Sequence, residues 1–172
     1  VMSLVTDRID SSLLDACPKL RIVANVAVGL DNIDLGAATR KGMLVTNTPG
    51  ILTETTADLA WCLMLAAARR IVEADSFVRD GRFEAWGPRM LLGHDVFGKS
   101  LGILGLGRIG RAVARRAAGF GMRILFYDPV DIPGELAGDL GAEKASLEKI
   151  YAEADFITLH VPLLAETYHL LN

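Results

Sequence analysis

Apolar positions along the chain fall into short runs separated by stretches of helical spacing. Residues 3–6 and 20–28 are strand-like runs, the second stopped by Gly29, and between them 11–16 has the pattern of a short helix ended by Pro18. Asp31 or Asn32 is placed to cap a helix over 33–41, with Gly42 as its stop, and 44–46 gives another short strand. Asn47-Thr48-Pro49-Gly50 is a turn signal and the clearest internal boundary. After it, Thr53 or Thr55 can cap one long helix through about Arg79. The first half, including 59–68, is apolar nearly all round and predicts a buried helix; the second half, with Arg69, Arg70, Glu73, Asp75 and Arg79, predicts a solvated or partner-facing end.

Residues 81–98 read as a loop-rich connection holding Trp86, Pro88 and Gly93, of a length that usually serves function or an interface. The apolar run 101–104 then leads straight into Gly105-Leu106-Gly107-Arg108-Ile109-Gly110, and Ile109, Val113 and Ala117 repeat at helical spacing. Phe120-Gly121 closes that helix, 124–127 is a second β-rich run, and Asp128 follows eighteen residues after Gly110. A weak helix near 134–140, a stronger one over 146–152, a buried strand over 156–159 ending at His160-Val161-Pro162, and a helix over 166–171 complete the pattern. Strand and helix alternate throughout, which predicts an α/β fold with a doubly wound parallel sheet of the Rossmann type and right-handed crossovers.

Strand, glycine turn, helix, second strand and terminal acid form the dinucleotide fingerprint in its required context. Gly105 allows the sharp turn, Gly107 lacks the Cβ that would hold a pyrophosphate away, and Gly110 lets the helix lie close to the sheet. N–H groups of the first helical turn and the positive end of the helix dipole favour a diphosphate. Asp128 would accept from both adenosine ribose hydroxyls and repel a 2′-phosphate, so the expected cofactor is NAD rather than NADP; a flavin dinucleotide is the weaker alternative.

Composition narrows the rest. With 172 residues, 51% of them hydrophobic, the chain can bury a sizeable core and is not a disordered segment. A net charge of −3, with no basic cluster interleaved with aromatics, points away from nucleic acid. The apolar run 59–68 is about half the ~20 residues of a membrane span and is bounded by Asp58 and Arg69, so no membrane partner is expected. Cys17 and Cys62 have no metal or redox spacing, and Cys62 reads as a small core residue. A cytoplasmic protein without a signal peptide or a metal is expected. Val1-Met2 runs directly into the first strand, and the pattern stops partway through a nucleotide-binding domain, so a longer parent chain is expected at both ends.

Several motifs together closely resemble the D-isomer-specific 2-hydroxyacid dehydrogenases: NVAVGLDNID at 25–34, RKGMLVTNTPG at 40–50, TADLAWCLML at 56–65, GKSLGILGLGRIG at 98–110, YDP at 127–129 and ADFITLHVPLLAETYHLLN at 154–172. Within that family, FVRDGRFEAWGPRMLLGHDVFGKS is most similar to the glyoxylate/hydroxypyruvate reductases. The resemblance implies part of a flavodoxin-like substrate domain over 1–51 and part of an NAD-binding Rossmann domain over 52–172. It implies hydride transfer between nicotinamide and a small 2-keto or 2-hydroxy acid by an oxidoreductase that forms a homodimer, with the helix after Pro49 as the dimer element.

Residue by residue, the resemblance assigns the Val28 and Gly29 backbone to the substrate carboxylate. It assigns Gly105, Gly107, Arg108, Ile109 and Gly110 to the diphosphate, Asp128 to the ribose, and His160, Val161 and Pro162 to the strand end beside the nicotinamide ribose. Thr167 matches a polar position near the phosphates, and Thr56 a position near the nicotinamide. Trp86 either reaches a neighbouring subunit's site or is an ordinary packed loop aromatic. Arg111 and Arg115 share a helix face with Arg108 and read as a solvated face. The family's catalytic Arg, Glu and His lie in motifs C-terminal to this segment, so no catalytic residue is expected within it and the segment alone should be inactive. His160 matches a strand-end position and does not fill that gap, while His94 and His169 read as surface histidines. Some family relatives carry small or basic residues where this chain has Asp128-Pro129, which accompanies NADP; the acid here points to NAD. The competing class is an NAD-binding, corepressor-like or otherwise non-catalytic binding module.

Overall fold

In the computed structural model, which describes residues 1–171, the chain divides into two units, Val1–Leu52 and the remainder from Thr53. The first contains β1 (Met2–Leu4), α1 (Ser11–Ala16), β2 (Ile22–Val26), α2 (Leu35–Arg40) and β3 (Leu44–Thr46). Its three strands are parallel in the order β1-β2-β3, with Ser3 beside Asn25 and Val23 beside Val45. Ile9, Leu14, Val23, Ile33, Ala37 and Ala38 form its core. Asp10 caps α1 by accepting from the Leu13 N–H at 3.1 Å. The cap of α2 is Asp34, which accepts from the Ala37 N–H at 2.8 Å, rather than Asp31 or Asn32. The helix begins later than its apolar pattern suggests because Ile33 is buried and bridged in parallel to Ile9, which holds that residue extended.

The second unit contains α3 (Thr53–Ala68), α4 (Ile71–Arg79), β4 (Ser100–Leu104), α5 (Arg108–Ala117) and a 3-10 turn at Ala118–Phe120. It continues through β5 (Arg123–Tyr127), α6 (Gly134–Asp139), β6 (Ala142–Lys144), α7 (Leu147–Glu153) and β7 (Phe156–Leu159). The four strands are parallel in the order β6-β5-β4-β7. The chain winds outward from β4 through β5 to β6, then returns to β7 on the other side of β4. That reversal is a topological switch point, and ligands of such sheets bind outside the carboxyl ends of the strands there.

Alternation along the central strands feeds two cores. Leu101, Ile103, Ile124 and Phe126 pack with Trp61 of α3 and Val113 of α5, while Leu104 and Leu125 pack with Ile150 of α7 on the other face. Trp61 stacks on Phe120 with ring centroids 4.7 Å apart, and its indole N–H donates to the Val113 carbonyl at 3.1 Å. Helix α3 is thereby fixed to α5, the helix that begins at the glycine turn.

Three expectations are corrected. The long helix is two helices: Arg70 takes φ 54°, and α4 starts anew at Ile71. The break is held from outside, because the Ala68 carbonyl accepts from the His94 N–H at 2.8 Å and Gly93 packs so tightly on that carbonyl that a side chain there would collide. Arg70 also forks onto Glu73 at 2.7 and 2.8 Å and donates to the Leu92 carbonyl at 3.2 Å. Secondly, the apolar stretch 59–68 is buried on one face only. Ala57, Trp61 and Ala68 face the core, whereas Leu59 and Leu63 are 57% and 61% exposed and Cys62 is exposed, not a core residue. Thirdly, residues after Pro162 form turns rather than a helix. The Thr167 hydroxyl closes them, donating to the Pro162 carbonyl at 2.6 Å and accepting from the Leu164 N–H at 2.8 Å. Asn172, the last residue of the motif at 154–172, lies outside the described residues.

Candidate functional site

The glycine turn sits at the carboxyl end of β4. Gly105 takes φ +94°, and a Cβ there would lie 2.7 Å from the His160 carbonyl oxygen and 2.8 Å from Val161 Cγ1. Glycine is therefore required twice over, by the turn and by the close passage of the segment leaving β7. A Cβ at Gly110 would collide with the Gly105 carbonyl, so the first turn of α5 folds back onto the loop it leaves. Gly107, the N-cap of α5, differs from both: a Cβ there would enter open space. Its missing side chain leaves room outside the protein, at the end of a helix whose first N–H groups have no intrahelical partners.

This turn is tied to β5. The Gly105 N–H donates to the Tyr127 carbonyl at 2.8 Å, and the Leu106 N–H donates to Asp128 Oδ2 at 2.8 Å. Asp128 Oδ1 accepts from the Val130 N–H at 2.9 Å. The acid at the strand end is thus held by backbone on both oxygens, half-buried, with lone pairs left over to accept further hydrogen bonds. The sequence pattern singles out Asp128 but not Leu106, whose buried side chain anchors the loop and whose N–H sets the carboxylate.

On the far side of the turn, the His160 N–H donates to the Leu104 carbonyl at 2.7 Å, so the segment after β7 continues alongside β4. Its ring Nε2 lies 2.9 Å from the Thr158 hydroxyl, and burial pushes the imidazole below its ordinary value. The ring is accordingly neutral at pH 7, and no acidic side chain among the described residues contacts it. Arg108 is exposed at the first position of α5, and Ile109 is half-buried against the core. Arg108, Arg111 and Arg115 line a shallow cavity of about 200 Å³ together with Thr53 and Leu136. Arg115 also pairs with Glu54 at 2.9 Å, and Arg111 Nε donates to the Gly107 carbonyl at 3.1 Å.

The family model of the D-isomer specific 2-hydroxyacid dehydrogenase NAD binding domain matches residues 61–172. The chain belongs to this family. It is 59% identical over 173 residues to a glyoxylate reductase of Korarchaeum cryptofilum, covering 100% of this chain and 52% of that protein. Among solved structures it is similar to the TT0316 protein from Thermus thermophilus, with a TM-score of 0.91, 46% identity and coverage of 98% and 52% of the two chains. It is also similar to the D-lactate dehydrogenase from Aquifex aeolicus complexed with NAD and lactic acid, with a TM-score of 0.86, 32% identity and coverage of 96% and 49%. The chain thus spans about half the length of the relatives it matches.

The cofactor of this dehydrogenase family's domain is NAD, and the residues present fit it. The open space at Gly107, the free N–H groups of α5 and the backbone-held carboxylate of Asp128 are what a diphosphate and a diol-bearing ribose require. Gly105, Gly107, Arg108, Ile109, Gly110, Asp128, His160 and Val161 all lie at the carboxyl ends of β4, β5 and β7. Pro162 follows on an exposed stretch, and Thr167 spends its hydroxyl on the turn after it. Thr56 is half-buried in the first turn of α3, but the residue of that turn that lines the arginine cavity is Thr53. In the other unit, Val28 and Gly29 lie in the loop after β2, between Val26 and the Ile9–Ile33 bridge. Trp86 is 79% exposed in the connection before β4.

Proposed function

We propose that this chain is the cofactor-binding half of an NAD-dependent reductase of small 2-keto acids of the glyoxylate or hydroxypyruvate type. In this reading residues 1–51 belong to the substrate domain and 52–172 to the NAD-binding domain. The observation that carries it is the cradle formed by Gly105, Gly107 and Gly110 with Asp128 fastened to it through the Leu106 N–H. The Korarchaeum relative, a glyoxylate reductase, supports the substrate class.

NADH supplies the hydride when it is bound. The chain's own groups bind and orient. N–H groups of residues 108–110 and the Arg108 guanidinium hold the diphosphate, and Asp128 accepts from the ribose hydroxyls while its charge repels a 2′-phosphate. His160, Val161 and Pro162 border the nicotinamide ribose, and the neutral imidazole of His160 is a poor proton donor at pH 7. The Val28 and Gly29 N–H groups hold the substrate carboxylate. Thr56 adds to the polar surroundings of the cofactor, and Thr167 shapes them through the turn its hydroxyl closes. The carboxylate-clamping Arg and the Glu–His proton donor come from further parts of the parent protein, so residues 1–172 by themselves bind NAD without turnover.

The protein works as a cytoplasmic homodimer in this reading. The exposed face of α3, bearing Leu59, Cys62 and Leu63, is the dimer surface, and Trp86 reaches the neighbouring subunit. The test is glyoxylate- and hydroxypyruvate-dependent oxidation of NADH by the full-length protein and by the 172-residue chain. Turnover by the first and none by the second is expected. NADH binding by the full-length protein with no turnover of either acid would favour a corepressor-like binding module instead.

A further inference from the structure

Three carbonyls near the end of β2 are each held by donors from elsewhere in the same unit. Ala27 O accepts from the Thr48 N–H at 2.9 Å and from the Thr48 hydroxyl at 3.1 Å. Val28 O accepts from the Asn47 side-chain amide at 2.9 Å, and Gly29 O from that of Asn25 at 3.0 Å. By contrast, the N–H groups of Val28 and Gly29 have no protein acceptor among the described residues.

These two facts are linked through the planarity of the peptide. In a trans peptide the C=O of one residue and the N–H of the next point in opposite directions. Fixing the Ala27 carbonyl therefore aims the Val28 N–H, and fixing the Val28 carbonyl aims the Gly29 N–H. Thr48 performs the first task and Asn47 the second, from the turn that follows β3. Asn25 secures the loop from below. Its side chain is buried, its oxygen accepts from the Ser3 hydroxyl at 2.9 Å, and its amide also donates to Asn32 Oδ1 at 3.0 Å. Asn32 in turn donates to the Leu4 and Asp7 carbonyls, both at 3.0 Å. An aimed pair of unpaired N–H groups suits an anionic, planar acceptor such as a carboxylate.

We infer that Asn47 and Thr48 are positioning residues for substrate, holding the Ala27 and Val28 carbonyls so that the Val28 and Gly29 N–H groups point together at a carboxylate. The inference rests on the reading of the protein as a 2-keto acid reductase. It adds two side chains that touch neither substrate nor cofactor and act through the backbone.

Asn47→Ala in the full-length protein tests it, because Asn47 is only half-buried and lies outside the buried Asn25 network. The KM for glyoxylate is expected to rise about five- to tenfold with kcat within about twofold and NADH affinity unchanged. For glycolaldehyde, which offers a carbonyl but no carboxylate, kcat/KM is expected to stay within about twofold of wild type. Equal losses for both substrates, or weaker NADH binding, would mean a general structural role and overturn the inference. Should the wild-type protein reduce no glyoxylate, the reductase reading fails. The inference is then decided by amide NMR of Val28 and Gly29 with oxalate as the probe. A response in wild type, with a midpoint raised about five- to tenfold in Asn47→Ala, supports it; no response, or equal midpoints, overturns it.

Discussion

The backbone N–H of Leu106 donates to the Asp128 carboxylate at 2.8 Å, joining the glycine turn after β4 to the end of β5. The acid proposed to select the ribose is therefore also a structural part of the loop proposed to hold the diphosphate. Asp128→Ala leaves the part-buried Leu106 N–H without its acceptor, at a cost of about 1 kcal/mol, while the exposed Val130 N–H can turn to water. It should lower the melting temperature and weaken NADH, while narrowing the preference for NADH over NADPH. Titration with both nucleotides checks this. Unchanged discrimination would show that Asp128 has only the structural task.

Gly107 and Gly110 should respond differently to the same substitution. Gly107→Ala meets open space and should leave the melting temperature nearly unchanged while reducing NADH affinity at least about tenfold, roughly 1.4 kcal/mol. Gly110→Ala drives a methyl into the Gly105 carbonyl and should lose about 1–3 kcal/mol of stability as well as binding. Paired thermal melts and nucleotide titrations separate the two. A large destabilisation by Gly107→Ala would contradict this account of the turn.

The half-buried imidazole of His160 should make stability fall on mild acidification. Burial lowers its folded-state value below the ordinary 6.5. Between the two values the unfolded chain holds more protons, so stability rises with pH across that window and is lost as pH falls through the folded value. Melting temperatures between about pH 7.5 and 5 should decline for wild type and more gently for His160→Gln. Parallel declines would show that another group controls the window.

Cysteine accessibility reports on the proposed dimer. Both Cys17 and Cys62 are exposed on the single chain. If the α3 face is covered by a second copy, a thiol reagent should modify Cys17 rapidly and Cys62 slowly at high protein concentration. Two equally fast thiols would contradict a dimer through that face.

Much of this architecture is legible in the residues because local signals agree with the global fold. The run 101–104, the glycines after it and Asp128 each have a strand or turn meaning that the parallel sheet satisfies directly. Elements escape such a reading where a tertiary contact overrides local pattern. Nothing near Arg70 in the sequence breaks a helix; the break comes from His94 and Gly93, more than twenty residues on, seizing the Ala68 carbonyl. The delay of α2 to Leu35 has the same origin, in the Ile9–Ile33 bridge. Short β6 carries Glu143 and Lys144 and lacks an apolar signature, being an edge strand whose charges pair with Arg123, Lys149 and Asp131. At the site, the glycines and the acid declare themselves by type, whereas Leu106 acts through a backbone N–H that residue identity does not encode, and the proposed task of Asn47 and Thr48 depends on which distant carbonyls the fold brings to them.

The central claim is that this chain carries a cradle for NAD with Asp128 as its gatekeeper. It is tested most directly by calorimetric titration of the full-length protein with NADH and NADPH at the same ionic strength. The account predicts saturable one-to-one binding of NADH and at least about tenfold weaker binding of NADPH. Failure of NADH to bind, or equal affinity for the two nucleotides, would contradict it.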